Sequence, residues 1–134
     1  MTKHNINMSG MGQIEFDLGS DNRKINFKGS NELVSISVDA GMQSTYICLN
    51  RMHNKDIVVN IFELKGYKMT EIAELVFDLI KIGRPEKLYI DRFGAGLAVK
   101  DSLFPLLKYE GYLVSKNGDV IYSLDEMYNR LQSN

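Results

Sequence analysis

Val34-Ser35-Ile36-Ser37-Val38-Asp39-Ala40-Gly41 alternates apolar and hydroxyl side chains and then stops at an acid and a glycine. Period-two alternation is the mark of a strand, and the glycine gives it a tight exit. Two more β-branched, apolar runs follow, Thr45 to Leu49 and Ile57 to Leu64, separated by the polar link Asn50 to Asp56. The three read as an antiparallel meander. The period then changes to about 3.6. Ile72, Leu75, Val76, Leu79 and Ile80 fall on one helical face, with Thr70 placed to cap it, Glu71 and Glu74 near its positive end, and Gly83 and Pro85 to stop it.

Lys87 to Asp91 reads as a fourth strand, and Arg92-Phe93-Gly94-Ala95-Gly96 leads into a second helix bearing Val99, Leu103, Leu106 and Leu107, which Pro105 should kink or restart. Asn117-Gly118 between Tyr112 to Lys116 and Asp119 to Tyr122 is a hairpin signal. A last helix is expected from Ser123, with Glu126 completing a capping box and Leu124, Met127, Tyr128 and Leu131 as its stripe. Upstream, Ile14, Phe16 and Leu18, then Gly19-Ser20-Asp21-Asn22, then Ile25 and Phe27 predict a further hairpin. Gly29-Ser30-Asn31 breaks the pattern, so residues 1–30 are expected as a β-hairpin extension and 31–134 as the main domain.

A chain of 134 residues, 44% hydrophobic and 25% charged, has ordinary globular composition and enough length for one core. The apolar runs are far short of the roughly 20 residues that span a bilayer. The first twelve residues lack the basic and apolar regions of a secretory signal, so a cytoplasmic protein is expected. Cys48 is the single cysteine and lies in an apolar run, which suits a buried strand residue. The net charge is −1, divided as +1 over residues 1–30 and −2 over the rest, so composition shows no basic face or tail for phosphates. Nucleic acid would have to be held locally or through metal ions.

The predicted order makes the first helix a crossover that brings the fourth strand in parallel to the first. The meander occupies the first strand's other side, so these two strands should be neighbours. Asp39 and Asp91 then end adjacent parallel strands, where open α/β sheets place ligands. Two close carboxylates repel, and a divalent cation relieves the conflict; all-oxygen donors suit Mg2+ or Mn2+. An aspartate before glycine at a strand end also serves as a turn former, and that reading stands beside the metal one.

Val34 to Gly41, the helix containing Glu71, and Leu88-Tyr89-Ile90-Asp91-Arg92-Phe93-Gly94-Ala95-Gly96-Leu97 together resemble the metal-dependent nuclease domain of phage terminase large subunits, a branch of the ribonuclease H-like fold. The resemblance covers about Leu33 to Val114. It implies an α/β ribonuclease H-like mixed sheet, an antiparallel three-strand meander and then parallel strands joined by helices with a further strand after the second helix, in which Asp39 bridges metals and Asp91 is the second ligand. It also implies at least one further acid or histidine from a C-terminal helix, for which Asp125 is the candidate. Here the chain departs from the family, being shorter and without a recognisable acidic motif after the fifth strand. Glu71 is an alternative ligand, although a glutamate in a first helical turn usually serves the helix dipole. Asp39-Ala40-Gly41 with Ser44-Thr45 also resembles the phosphate loop of actin-like sugar kinases, a fold that needs two such domains. A small Holliday-junction-resolvase-like protein shares the length and first aspartate but not the later motifs.

His4 and His53 have no ligand partner at recognisable spacing, and Arg92 is placed either to hold a phosphate or to pair with an acid. The first functional expectation is a Mg2+- or Mn2+-dependent, two-metal nuclease acting on DNA, of phage or prophage origin and so working in a bacterial host cell. The second is a non-catalytic module of the same fold that binds or inhibits a nucleic-acid-handling protein. A homo-oligomer remains open in either case.

Overall fold

In the computed structural model the structure describes residues 5–9, 14–17, 24–27, 33–53, 55–91 and 93–123; for the first three of these segments the description is of backbone pairing. The expected meander is present as β4 (Leu33–Ala40), β5 (Ser44–His53) and β6 (Asp56–Lys65), preceded by β1 (Asn5–Ser9), β2 (Ile14–Asp17) and β3 (Lys24–Phe27). The polar link Asn50 to Asp56 is shorter than expected. Both strands run on through it until His53 pairs with Asp56, and Lys55 takes φ 70° to turn the chain.

Helix α1 (Met69–Gly83) then crosses over to β7 (Lys87–Ile90), which pairs parallel to β4 from Ser35↔Lys87 to Val38↔Ile90. The main sheet has the order β1-β6-β5-β4-β7. It is a mixed α/β sheet, as the sequence predicts. The hairpin predicted between Ile14 and Phe27 is the separate β2–β3 pair, and β3 approaches α1. Strand β1 has no counterpart in the sequence reading; it pairs antiparallel to β6, so part of residues 1–30 belongs to the main sheet.

The capping of α1 differs from the expectation. Its N-cap is Lys68, whose backbone N–H donates to Glu71 Oε1 at 2.9 Å, so Glu71 rather than Thr70 satisfies the first turn. At the other end Arg84 adopts φ 45° and donates its N–H to Ile80 O at 2.9 Å. Helix α2 (Ala95–Tyr109) is continuous through Pro105, so the helix does not restart there. Pro105 and Asp101 are both exposed, so water can satisfy the carbonyl that proline leaves without a donor.

The core lies on one side of the sheet. Ile36 and Val38 of β4, Ile47 and Leu49 of β5, Phe62 and Leu64 of β6 and Leu88 of β7 are buried against Ile72, Leu75, Val76, Leu79 and Ile80 of α1 and Val99, Leu103 and Leu107 of α2. Burying Arg51 on this side pushes its guanidinium pKa down, and its Nε donates to Asn60 Oδ1 at 3.2 Å. The alternate residues face away from the helices, and several stay exposed: Tyr46, Met52, Ile57, Val59, Ile61 and Tyr89.

The C-terminal hairpin is β8 (Leu113–Val114) with β9 (Val120–Ile121). Its turn sits earlier than Asn117-Gly118 alone suggests. Gly118 N–H donates to Ser115 O at 3.0 Å, and Ser115 Oγ accepts from Asn117 and Asp119 N–H, which fixes a turn over Ser115 to Gly118. The returning arm borders β7 in the antiparallel sense, with Leu88 N–H donating to Gly118 O and Val120 N–H to Glu86 O. The helix expected from Ser123, with Leu124, Glu126, Met127, Tyr128 and Leu131, lies outside the described residues beyond its first position. No helix among the described residues is long and apolar enough to cross a membrane.

Candidate functional site

Asp39 and Asp91 come together as the topology predicts. The last parallel pair is Val38↔Ile90, and one step further the chain places Asp39 on β4 beside Asp91 at the end of β7. Adjacent strands lie about 4.8 Å apart. Both aspartates are exposed, both fall on the face of the sheet away from the helices, and both line one cavity of about 940 Å3 that reaches from that face to the flank of α2.

The cavity has three further walls. The outward side of β4 and β5 gives Ser37, Tyr46 and Cys48, the flank of α2 gives Lys100 and Phe104, and the turn from Ser115 to Gly118 forms the rim. The gap exists because the returning arm of the hairpin pairs only with the first half of β7, through Glu86 and Leu88, and leaves Tyr89 to Asp91 beside open space. Gly118 permits that pairing: a side chain there would meet Leu88 O, and its φ is +85°. Gly96 does comparable work under the acid. A Cβ on Gly96 would collide with the Asp91 backbone oxygen and come within 2.8 Å of Asp91 Cβ, so α2 can start against Asp91 only with glycine there.

Glu63 extends the row of acids. Pairing sets Asp39 opposite Tyr46 and Tyr46 opposite Glu63, so Asp91, Asp39, Tyr46 and Glu63 lie in sequence across β7, β4, β5 and β6. Tyr46 Oη donates to Glu63 Oε2 at 2.6 Å, Ser44 Oγ donates to the same oxygen at 3.3 Å, and Lys65 Nζ stands 3.6 Å from Oε1. The hydrogen bond to the Glu63 carboxylate, then that group's negative charge, raise the Tyr46 pKa above its usual 10.0, with the charge of Asp39 a smaller contribution. Partial burial pushes the Cys48 thiol pKa up.

Other candidates have different places. Glu71 is engaged at the start of α1. Asp119 pairs with Lys87 at 2.6 Å and accepts from Ser115 Oγ at 3.2 Å. Asp125, Arg92 and His4 lie outside the described residues, as does the side chain of His53. Sequence reasoning missed Glu63, Lys100 and Lys116. Alternation along β6 carried a signal for Glu63, and the i, i+4 spacing of Lys100 and Phe104 carried one for the α2 flank.

The donor set suits a hard cation. Asp39 and Asp91 offer only oxygens from two rigid strands, and an ion such as Mg2+ commonly takes one or two carboxylates and fills its remaining positions with water and substrate phosphate. Among the described residues no group of three or more His, Cys, Asp or Glu side chains converges. In comparisons with family models, curated proteins and solved structures, nothing matches the chain.

Proposed function

We propose that the cavity is the site of a divalent-metal-dependent nuclease acting on DNA phosphodiesters, built on a ribonuclease H-like sheet similar to that of phage terminase nuclease domains. The observation that carries the reading is the pair Asp39 and Asp91, brought to neighbouring parallel strand ends over one cavity. The strand order, three antiparallel strands and then a parallel one reached through a helix, supports the fold assignment.

Asp39 and Asp91 would hold Mg2+ or Mn2+, with Asp125 the further ligand the resemblance implies. Divalent ions at such a site supply Lewis-acid stabilisation of the charge that builds on the phosphate and its leaving oxygen. The chain's own part is to fix both carboxylates on rigid strand ends, to hold Asp91 against the start of α2 through Gly96, and to present Lys100 and Lys116 to the phosphates. Incubation of plasmid and single-stranded DNA with protein and millimolar Mn2+ tests the reading. Cleavage is expected, and Asp91→Asn should remove it while Asp125→Asn shows whether the C-terminal segment supplies a ligand. Survival of both DNAs defeats the nuclease reading.

The second reading, a module that binds a nucleic-acid-handling protein without cleaving, draws on a different observation. Met52, Ile57, Val59 and Ile61 form an exposed apolar strip on the same side of the sheet. Apolar patches of this kind mark protein contacts more often than catalytic ones.

A further inference from the structure

Two rings and two cations in the cavity are not needed to hold a metal. Tyr89 and Phe104 are 49% and 41% exposed, yet both line the concave surface. Lys100 and Lys116 line it too, and among the described residues neither is in an ion pair. Lys100 and Phe104 are four residues apart on α2 and so share a flank. Two rings and two cations lining one cavity match the needs of unpaired nucleotides: each base offers a π-face to stack and each phosphate a charge to meet. In a duplex those faces are occupied by neighbouring base pairs and reach a protein ring only after unstacking. The two lysines balance Asp39 and Asp91, so the cavity is close to neutral without a bound cation and stacking must carry much of the affinity.

We propose that the cavity binds an unpaired stretch of nucleic acid, with bases stacked on Tyr89 and Phe104 and phosphates held by Lys100 and Lys116. This names the substrate class of the site proposed above as single-stranded, and to that extent rests on that reading. The test is fluorescence anisotropy of the full chain with a labelled oligothymidylate and with a blunt duplex of equal length, in EDTA so that neither metal nor cleavage enters. The single strand should bind at least about tenfold tighter, and Tyr89→Ala and Phe104→Ala should each weaken it by roughly five- to tenfold or more, with Tyr89→Phe retaining affinity. Lys100→Gln and Lys116→Gln should each reduce the slope of log affinity against log salt by about 0.7. Bound oligothymidylate should slow alkylation of Cys48 in the cavity wall. Equal or tighter duplex binding, alanine variants that bind like the wild type, or thymidine monophosphate competing as well as the oligomer would each overturn the proposal. Absence of Mn2+-dependent cleavage with the binding pattern intact removes only the nuclease reading. Duplex cleavage with the pattern absent removes only this one.

Discussion

Tyr46 stands between two carboxylates on one face of the sheet, with Asp39 on the strand to one side and Glu63 on the other. Its hydroxyl donates a hydrogen bond to the Glu63 carboxylate, and this bond, followed by the charge of Glu63, raises the tyrosine pKa. The direction fixes the pH dependence. A folded pKa above the unfolded value means that the contribution to stability is fully present below the usual 10.0 and is lost as pH rises through the folded value. Tyr46→Phe should therefore lower the melting temperature at neutral pH, and the gap between variant and wild type should close in strong alkali. The difference in phenolate absorbance between the two proteins should show Tyr46 titrating above an ordinary tyrosine. Titration at or below the ordinary value would mean that the bond does not persist in solution. The same row explains why Glu63 escaped the sequence reading: alternation along β6 gives its face, but its neighbours Tyr46 and Asp39 follow only from the register of β5 on β6 and of β4 on β5.

At the scale of elements, the start of α2 is the most constrained junction around the site. Gly94 takes φ +59° at the N-cap, and Gly96 lies so close to Asp91 that a Cβ has no room. Gly96→Ala should cost about 1 to 3 kcal/mol, because the atoms in its way include backbone that cannot swing aside. Gly94→Ala meets open space, but φ +59° with ψ −130° is a backbone conformation that essentially only glycine adopts, so the strain alone should cost about 1 to 3 kcal/mol. Urea unfolding of both variants measures the stability loss, and the response to Mn2+ separates them further, since only Gly96→Ala displaces Asp91. Loss of metal response in Gly94→Ala alone would contradict this assignment. The elements themselves were largely legible, because β4, β5, β6 and α1 each carry a clear period of two or 3.6. The end of the domain was less so. Asn117-Gly118 announced a hairpin, but the hydroxyl of Ser115 moves the turn forward, and the returning arm then borders β7 antiparallel instead of adding a parallel strand.

For the whole molecule, the meeting of Asp39 and Asp91 followed from connection rules alone, whereas the role of the N-terminal residues did not. Asn5-Ile6-Asn7-Met8-Ser9 is too polar and too short for a period to show, yet β1 covers the outer edge of β6. Deleting residues 1–30 should lower the melting temperature and leave β6 as an open edge prone to association, measurable by circular dichroism and light scattering. No change in either would mean that the strand adds nothing to the fold.

The metal prediction is also a property of the whole molecule, because an ion that only the folded state binds stabilises it by mass action, by about 2.7 kcal/mol at a hundredfold excess over its Kd. Millimolar Mn2+ should raise the melting temperature by several degrees, on the order of 2 to 8 °C for each kcal/mol in domains of this general size. Asp39→Asn should abolish the rise. Without metal the variant should be as stable as the wild type or slightly more so, since one of two like charges on adjacent strands is gone and both side chains are exposed. These two results together separate a metal pair from a pair of turn formers. A turn aspartate contributes through hydrogen bonds to its own backbone, so replacing it would change stability equally with and without Mn2+, and the wild type would gain nothing from the ion.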